Sequence, residues 1–486
     1  MVALVLMSAA LPGSGHLITG HRRAGMAIMR TFFVLVGLAL IAAAVAYFSP
    51  ATVASLAVRT SWLSAIRWGA LAIGVAWVLV ILSAAFMGQP GTVNRGGRVW
   101  AVLLTAALCA AVGIPALRIS QYADTTAGVI DEVFKEYSPG PGAAGASAAQ
   151  EMAFSDGRVN IMLVGSDSGP DRVGVRADTV IVASVNAKTG RTILFSLPRN
   201  MQRIPFPAGS VMAEEFPRGF VCPGDACLLN AINTWATEQA AANPALFAGD
   251  PDPGMTALRG GVGTALGLDI DYYALVNLEG FEKIIDALGG VTIRVDKRLP
   301  IGGIDAAGRS VKPSGYIEPG LQRLNGFNAL WYARSRAGSD DYTRVARQRC
   351  LIGAVVREAD PTNVLINYQR VLNSTPGAVD TDIPRDTLPA LVKVGFRVKS
   401  QPVESLAFVP PVVPDTSRPD FAEIRELVQE AIARSDAGPP EPTESPTAAP
   451  SPSAAATTPS ESPSGSPSPS ASGNDPVALQ DVCSYA

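Results

Sequence analysis

Histidine is almost missing from this chain. The 486 residues hold two, His16 and His21, and both precede the first long apolar run. Everything downstream lacks the residue, which excludes a Ser-His-Asp triad, a Cys-His dyad and a His-ligated zinc there. Cysteine is scarce too. Cys109, Cys222, Cys227, Cys350 and Cys483 do not form the doubled close pairs of a zinc ribbon. Charged residues make up 17% of the chain and the net charge is −3. A mildly acidic chain carries no bulk footprint for nucleic acid.

Long apolar runs are plentiful instead. Residues 26–48, 68–86 and 99–116 each approach the roughly 20 residues of a membrane helix. Buried core helices are the alternative, but three runs with almost no charge favour the membrane. Residues 1–118 therefore read as an anchor with three transmembrane helices. Residues 1–12 are apolar but too short to span. As a signal peptide they are a poor match, because the basic residues follow the apolar run. Arg22, Arg23 and Arg30 lie at the start of the first span, and Arg95 and Arg98 precede the third. Arg59 and Arg67 weaken that contrast, yet the balance sets the N-terminus inside and everything after residue 116 outside. Outside, cysteines pair. Cys222 and Cys227 bracket a turn-like PGDA, which leaves Cys350 and Cys483 as a second pair and Cys109 free in the third span. Spacing alone leaves the connectivity open.

Residues 119–150 read as a short helix followed by a Gly/Ala/Ser/Pro linker. From 151 to 436 short apolar runs alternate with helical patterns. NIMLVGSDSG, TVIVASV and TILFSL read as strands, and 228–241, 255–266, 278–288 and 345–359 as helices. The expectation is an α/β sandwich with a mixed central sheet. Residues 437–474, nearly all Pro, Ser, Thr and Ala, cannot bury enough apolar surface to fold. The last stretch, 475–486, makes sense only if Cys483 tethers it.

One stretch stands out. WYARSRAGSDDYTRVARQR, residues 331–349, holds Arg334, Arg336, Arg344, Arg347 and Arg349. On a strand Arg334 and Arg336 share a face. On a helix Arg344, Arg347 and Gln348 share one. Together they make a cup of forked donors suited to phosphate or pyrophosphate. A solvated basic surface broken by Asp340 and Asp341 is the alternative. Upstream, Asp167 ends one strand and Asp178 opens the next, with Arg176 and Arg199 close by. Two carboxylates at adjacent strand ends can share magnesium or manganese while substrate phosphates complete its shell. Taken singly, each aspartate also suits a loop cap. Carboxylates for a metal, arginines for phosphate and no histidine describe a site for a phosphorylated substrate.

The segments NIMLVGSDSG, RADTVIVASV, SLPRN, FEKIIDALGGVTIRV, LNGFNALWYARSR and DYTRVARQR resemble, in this order, the LytR-CpsA-Psr (LCP) family of bacterial envelope proteins. The resemblance covers roughly residues 159–359, and the three-span start and Pro/Ser tail look like actinobacterial members. It implies an LCP-type α-β-α sandwich and a phosphotransferase. Such an enzyme moves a glycopolymer from a polyprenyl-pyrophosphate carrier to a peptidoglycan hydroxyl, the 6-hydroxyl of muramic acid. The product is a phosphodiester and the carrier leaves as its monophosphate. By position Asp167 and Asp178 match the magnesium aspartates. Arg176, Arg199, Arg334, Arg336, Arg347 and Gln348 match positions around the pyrophosphate, and Asp341 and Arg344 match the Asp-x-x-Arg before Arg-Gln. Asn200 departs from the family's usual Asp, which puts any role of that carboxylate in doubt. Asp178 or Asp341 is the candidate base. Helices near 255–266 and 281–288 are candidates to line a tunnel for the polyprenyl tail, although plain core explains most of their apolar residues. Two other readings compete: a receptor or regulator that binds lipid-pyrophosphate glycans, and a pyrophosphatase using water as acceptor.

Overall fold

A computed structural model describes residues 2–87, 95–134, 157–167, 175–223, 226–303, 309, 311–335, 341–359, 378–438, 476–479 and 483, with backbone alone for 2–4, 95–98 and 341. The chain folds as two compact units.

The first unit takes residues 1–155 together with 286–288 and 359–396, the last piece holding the short strand β9 (Val379–Thr381). It opens with α1 (Val2–Ala10) and α2 (Ser14–Ile18). Next come α3 (Arg22–Phe48), α4 (Pro50–Ala57), α5 (Thr60–Met87) and α6 (Arg95–Val133). Helices α3, α5 and α6 are long and apolar enough to cross a membrane. Their outer faces show Phe33, Leu40, Ile41, Trp68, Leu79 and Val102, which only lipid would solvate well. Helices α5 and α6 meet at Gly74, where an added Cβ would collide with that of Ala116, the small-residue contact that lets membrane helices approach closely. Short α1 packs on this pair through Val5, Ile81 and Ala85. The third span differs from expectation. No separate helix begins at 119, because α6 continues unbroken past Pro115 to Val133. Pro115 removes one backbone donor, and the helix runs on through it.

The second unit takes residues 156–285, 289–358 and 397–486. Its strands β1 (Arg158–Ser166), β2 (Ala177–Asn186) and β3 (Thr192–Leu197) fall on the apolar runs that predicted them, and β4 (Tyr272–Asn277) is a further strand that the sequence reading did not name. With β10 (Val403–Ala407) and β11 (Val477–Ala478) they form a mixed sheet in the order β11-β10-β3-β2-β1-β4. Buried residues alternate along β1, while all of β3 is buried, so β3 is a central strand covered on both faces. Helices α7 (Ile232–Ala242), α8 (Pro253–Leu266) and α12 (Phe421–Ala437) pack into a core around Phe195, Leu258, Val262, Phe408 and Val428.

A second core lies around Ile293, Tyr332, Cys350 and Leu351. It gathers α9 (Leu278–Ala287), β5 (Val291–Val295), β8 (Gly320–Leu324), α10 (Gly326–Arg334) and α11 (Asp341–Glu358). The strand β5 pairs with β8 in a separate two-stranded sheet. A further hairpin joins β6 (Leu299–Ile301) and β7 (Gly315–Ile317). Disulfides link Cys222 to Cys227 and Cys350 to Cys483, and Cys109 is free. Both pairings are those the sequence suggested.

Candidate functional site

Strand direction assembles the site. β1 runs parallel to β4, β3 runs parallel to β10, and β2 runs antiparallel to both β1 and β3. The carboxyl ends of four strands and the amino end of β2 therefore share one edge, the place where open α/β sheets hold ligands. Asp167 follows β1 there, Asp178 is the second residue of β2, and Arg199 comes two residues after β3. The pairing of β1 with β2 shifts at Gly165/Ser166, where a bulge turns the chain. One carbonyl gathers both aspartates: the amides of Asp167 and Asp178 donate to Arg176 O at 3.3 and 3.0 Å. The two carboxylates thus start from neighbouring steps of one ladder. Arg199 Nη1 donates to Asp178 Oδ1 at 2.8 Å, with both side chains half-buried. Arg176 is exposed. Helix α7 steadies this edge, because Asn233 Oδ1 accepts from the Val175 amide at 2.9 Å. Beside Arg199, Asn200 Oδ1 is buried without a hydrogen-bond partner.

Helix α11 brings the second half. Arg349 donates to Ser405 Oγ at 2.7 Å and to Ser405 O at 3.0 Å. One turn later Gly353 lies against Leu479, which follows β11 and so stands level with Val403. Going backwards along α11 is therefore going forwards along β10. The eight residues from Arg349 to Asp341 rise about 12 Å, and three strand residues from Ser405 to Phe408 span about 10 Å. The N-terminal turns of α11, with Asp341, Arg344, Arg347 and Gln348, consequently lie toward the edge that holds Asp178 and Arg199. The positive end of the helix dipole faces the same way, which favours an anion.

Arg344 and Arg347 are 3% and 2% exposed, too buried to be solvated surface. Arg347 Nη1 donates to Tyr332 O at 2.7 Å and Nη2 to Ser335 O at 2.5 Å. It clamps the end of α10 and thereby fixes Arg334, the last residue of that helix. Its guanidinium stands 5.4 Å from the Trp331 ring. The expected extended pair of arginines is corrected here: Arg334 is helical. Asn325 accepts from the Asn328 amide at 2.9 Å and starts a helix that holds through Arg334. Arg336 and Asp340 lie outside the described residues, as does the side chain of Asp341. Arg349, the fifth arginine of the stretch, is given no place in the cup by the sequence. It points to β10 and not to the cup, and burial lowers its pKa to about 10, so it stays charged at neutral pH. Its spacing carried that signal, since residues two apart on a helix stand about 200° apart. Tyr332 is 1% exposed, and burial pushes its phenol up to about 12, with Arg347 opposing the shift and Asp296 adding to it.

Among the described residues no group of three or more His, Cys, Asp or Glu side chains forms a metal cage. Asp167 and Asp178 at one sheet edge suit an ion that takes one or two carboxylates and completes its shell with substrate phosphates and water. Residues 255–266, expected to help line a tunnel for the polyprenyl tail, lie in α8. An open cavity of about 700 Å³ borders α8, with a mixed lining in which Pro207, Leu268 and Ile270 stand beside Thr256, Arg259, Asp269 and Arg425.

The LytR_cpsA_psr family pattern matches residues 135–410. Biofilm regulatory protein A of Streptococcus mutans is 26% identical over 63% of this chain and 68% of its own length. Polyisoprenyl-teichoic acid–peptidoglycan teichoic acid transferase TagU of Oceanobacillus iheyensis is 29% identical over 48% of this chain. That alignment spans 62% of TagU, under two thirds of its length. The crystal structure of B. subtilis TagV is 20% identical, with a TM-score of 0.39, and the match covers 56% of this chain and 96% of that one. With its motifs in order and the family pattern spanning more than half its length, this chain belongs to the LytR_cpsA_psr family.

Proposed function

We propose that this protein is a membrane-anchored glycopolymer transferase of the cell envelope, working on the outer face. It moves a glycopolymer from a polyprenyl-pyrophosphate carrier to a peptidoglycan hydroxyl, the 6-hydroxyl of muramic acid. The observation that carries this reading is the Arg199–Asp178 pair at the sheet edge, toward which the N-terminal turns of α11, the turns that carry Arg344, Arg347 and Gln348, lie. The name of its relative TagU supports the substrate class.

In the reaction the acceptor oxygen attacks the phosphorus that bears the sugar. A new O–P bond forms, the bridging P–O bond breaks, and polyprenyl phosphate leaves with the electron pair. The acceptor proton passes to a carboxylate, Asp178 or Asp341. Arg176, Arg199, Arg334 and Arg336 hold the phosphate oxygens, and Arg347 keeps Arg334 in place. Asp167 and Asp178 would hold a magnesium ion, whose charge would help neutralise the pyrophosphate.

The test is transfer by the full chain in detergent, supplied with a polyprenyl-pyrophosphate oligosaccharide, nascent peptidoglycan and magnesium. Attachment of glycan to the wall and release of polyprenyl phosphate are followed together. Arg199→Ala is expected to lower the rate about 10²–10³-fold, the usual loss when one positioned donor is removed, and Asp178→Ala to weaken the dependence on magnesium. Release without attachment would make the protein a pyrophosphatase. Binding with neither would make it a receptor. The outer-face assignment predicts that alkaline phosphatase fused after Ala486 is active in cells, an enzyme that matures only outside the reducing cytoplasm.

A further inference from the structure

Helix α10 presents two faces. Gly326, Ala329, Leu330 and Tyr332 are buried. Phe327, Trp331 and Arg334 recur at i, i+4 and i+7, the spacing of a single stripe on the other side. Phe327 is 46% exposed, an unusual position for a large ring. The two rings stand edge to face, 6.3 Å apart and tilted by 61°. The Arg334 guanidinium lies over Trp331 at 5.4 Å, and this stacking restrains both groups. Trp331 is partly buried against the second core, which anchors it, while Phe327 faces outward.

The geometry points to a sugar-binding platform: Phe327 and Trp331 receive the pyranose rings of the donor glycan next to the pyrophosphate. The inference deepens the transferase reading and rests on it. Arg334 belongs both to the phosphate cup and to the aromatic stripe, so the two surfaces are continuous. In the donor the first sugar is bonded directly to phosphate. A phosphate held by Arg334 therefore sets that sugar within about one helical turn, some 5 Å, of Trp331. A pyranose has a face of C–H groups and an edge of hydroxyls. Its face suits an aromatic ring, and its edge suits a guanidinium. An isoprenoid tail would need enclosure on several sides, and this stripe is an open ridge that ends in a cation.

The experiment measures binding by calorimetry with the full chain in detergent. Two probes are compared: a short polyprenyl pyrophosphate carrying an N-acetylglucosamine disaccharide, and the same lipid pyrophosphate without sugar. The wild type is expected to prefer the sugar-bearing probe. Phe327→Ala weakens that probe about tenfold, the scale of one lost ring contact, and leaves the sugarless probe unchanged, while Trp331→Ala, which also loosens Arg334, weakens the sugar-bearing probe about tenfold more than the sugarless one. Trp331→Tyr, which keeps a ring and the packing beneath it, restores most of the affinity. Equal weakening of both probes overturns the platform, since the rings would then serve the lipid or merely hold Arg334. No weakening, or a wild type without sugar preference, overturns it as well and leaves the transferase reading standing on its own assay. A wild type that binds neither probe sinks both.

Discussion

Tyr332 carries a phenol into an apolar core where its Oη meets no hydrogen-bond partner. A buried unmatched hydroxyl costs about 1–3 kcal/mol. Tyr332→Phe is therefore expected to leave the fold neutral or to stabilise it by about 1 kcal/mol in thermal unfolding at pH 7. The pH dependence is sharper. The folded phenol titrates near 12, against an ordinary value of 10, so between those values the folded chain keeps a proton that the unfolded chain has lost. Stability present below pH 10 is lost as pH rises toward 12, by up to about 1.4 kcal/mol per unit. Arg349 acts with the opposite sign, since its folded pKa is lowered from 12.5 to about 10. That contribution is common to both proteins, so the difference between the wild type and Tyr332→Phe isolates the phenol. A difference that stays flat from pH 10 to 12 would show that the hydroxyl is not buried as described.

At the scale of elements, Gly326 is the most demanding position. It opens α10, and a Cβ there would run into the Glu282 carbonyl of α9. Gly326→Ala should cost about 1–3 kcal/mol through overpacking and lower transfer further by displacing Arg334, read as a fall in melting temperature together with a fall in kcat. Much of the element plan was legible beforehand. β1, β2, β3 and β5 lie on dense β-branched runs, and α8 and α9 end where Gly267 and Gly289-Gly290 end them. Two elements misled. The alternation in WYARSR looks extended, yet the Asn325 cap and the contacts of α10 impose a helix. Charged residues after Leu117 suggested a new element, but Arg118, Asp124 and Asp131 suit a helix that has simply left the hydrocarbon. The opposing directions of Arg347 and Arg349 were available from helical geometry alone. The meeting of Asp178 with Arg199 was not, because only strand order and register bring those residues to one edge.

Across the whole molecule, the Cys350–Cys483 bridge closes a loop of 133 residues, while Cys222–Cys227 closes one of 5. The chain-entropy account assigns the longer loop the larger share of stability, about 4–5 kcal/mol. Cys483→Ser is expected to lower the melting temperature by several degrees and to free β11 from β10, seen as faster amide exchange along β10 and faster trimming of the last residues by carboxypeptidase. Unchanged trimming would mean that the strand pairing alone holds the end.

The same bridge sets what proteolysis does to the protein. The Pro/Ser-rich stretch between Gly438 and Gly473 has the composition that proteases cut most readily. A cut anywhere along it severs the polypeptide but not the molecule, because the final piece is joined to α11 through sulfur. On a non-reducing gel a worn protein would run as a single band, and with thiol it would fall into two. Edge strand and arginine helix would outlast the tether between them.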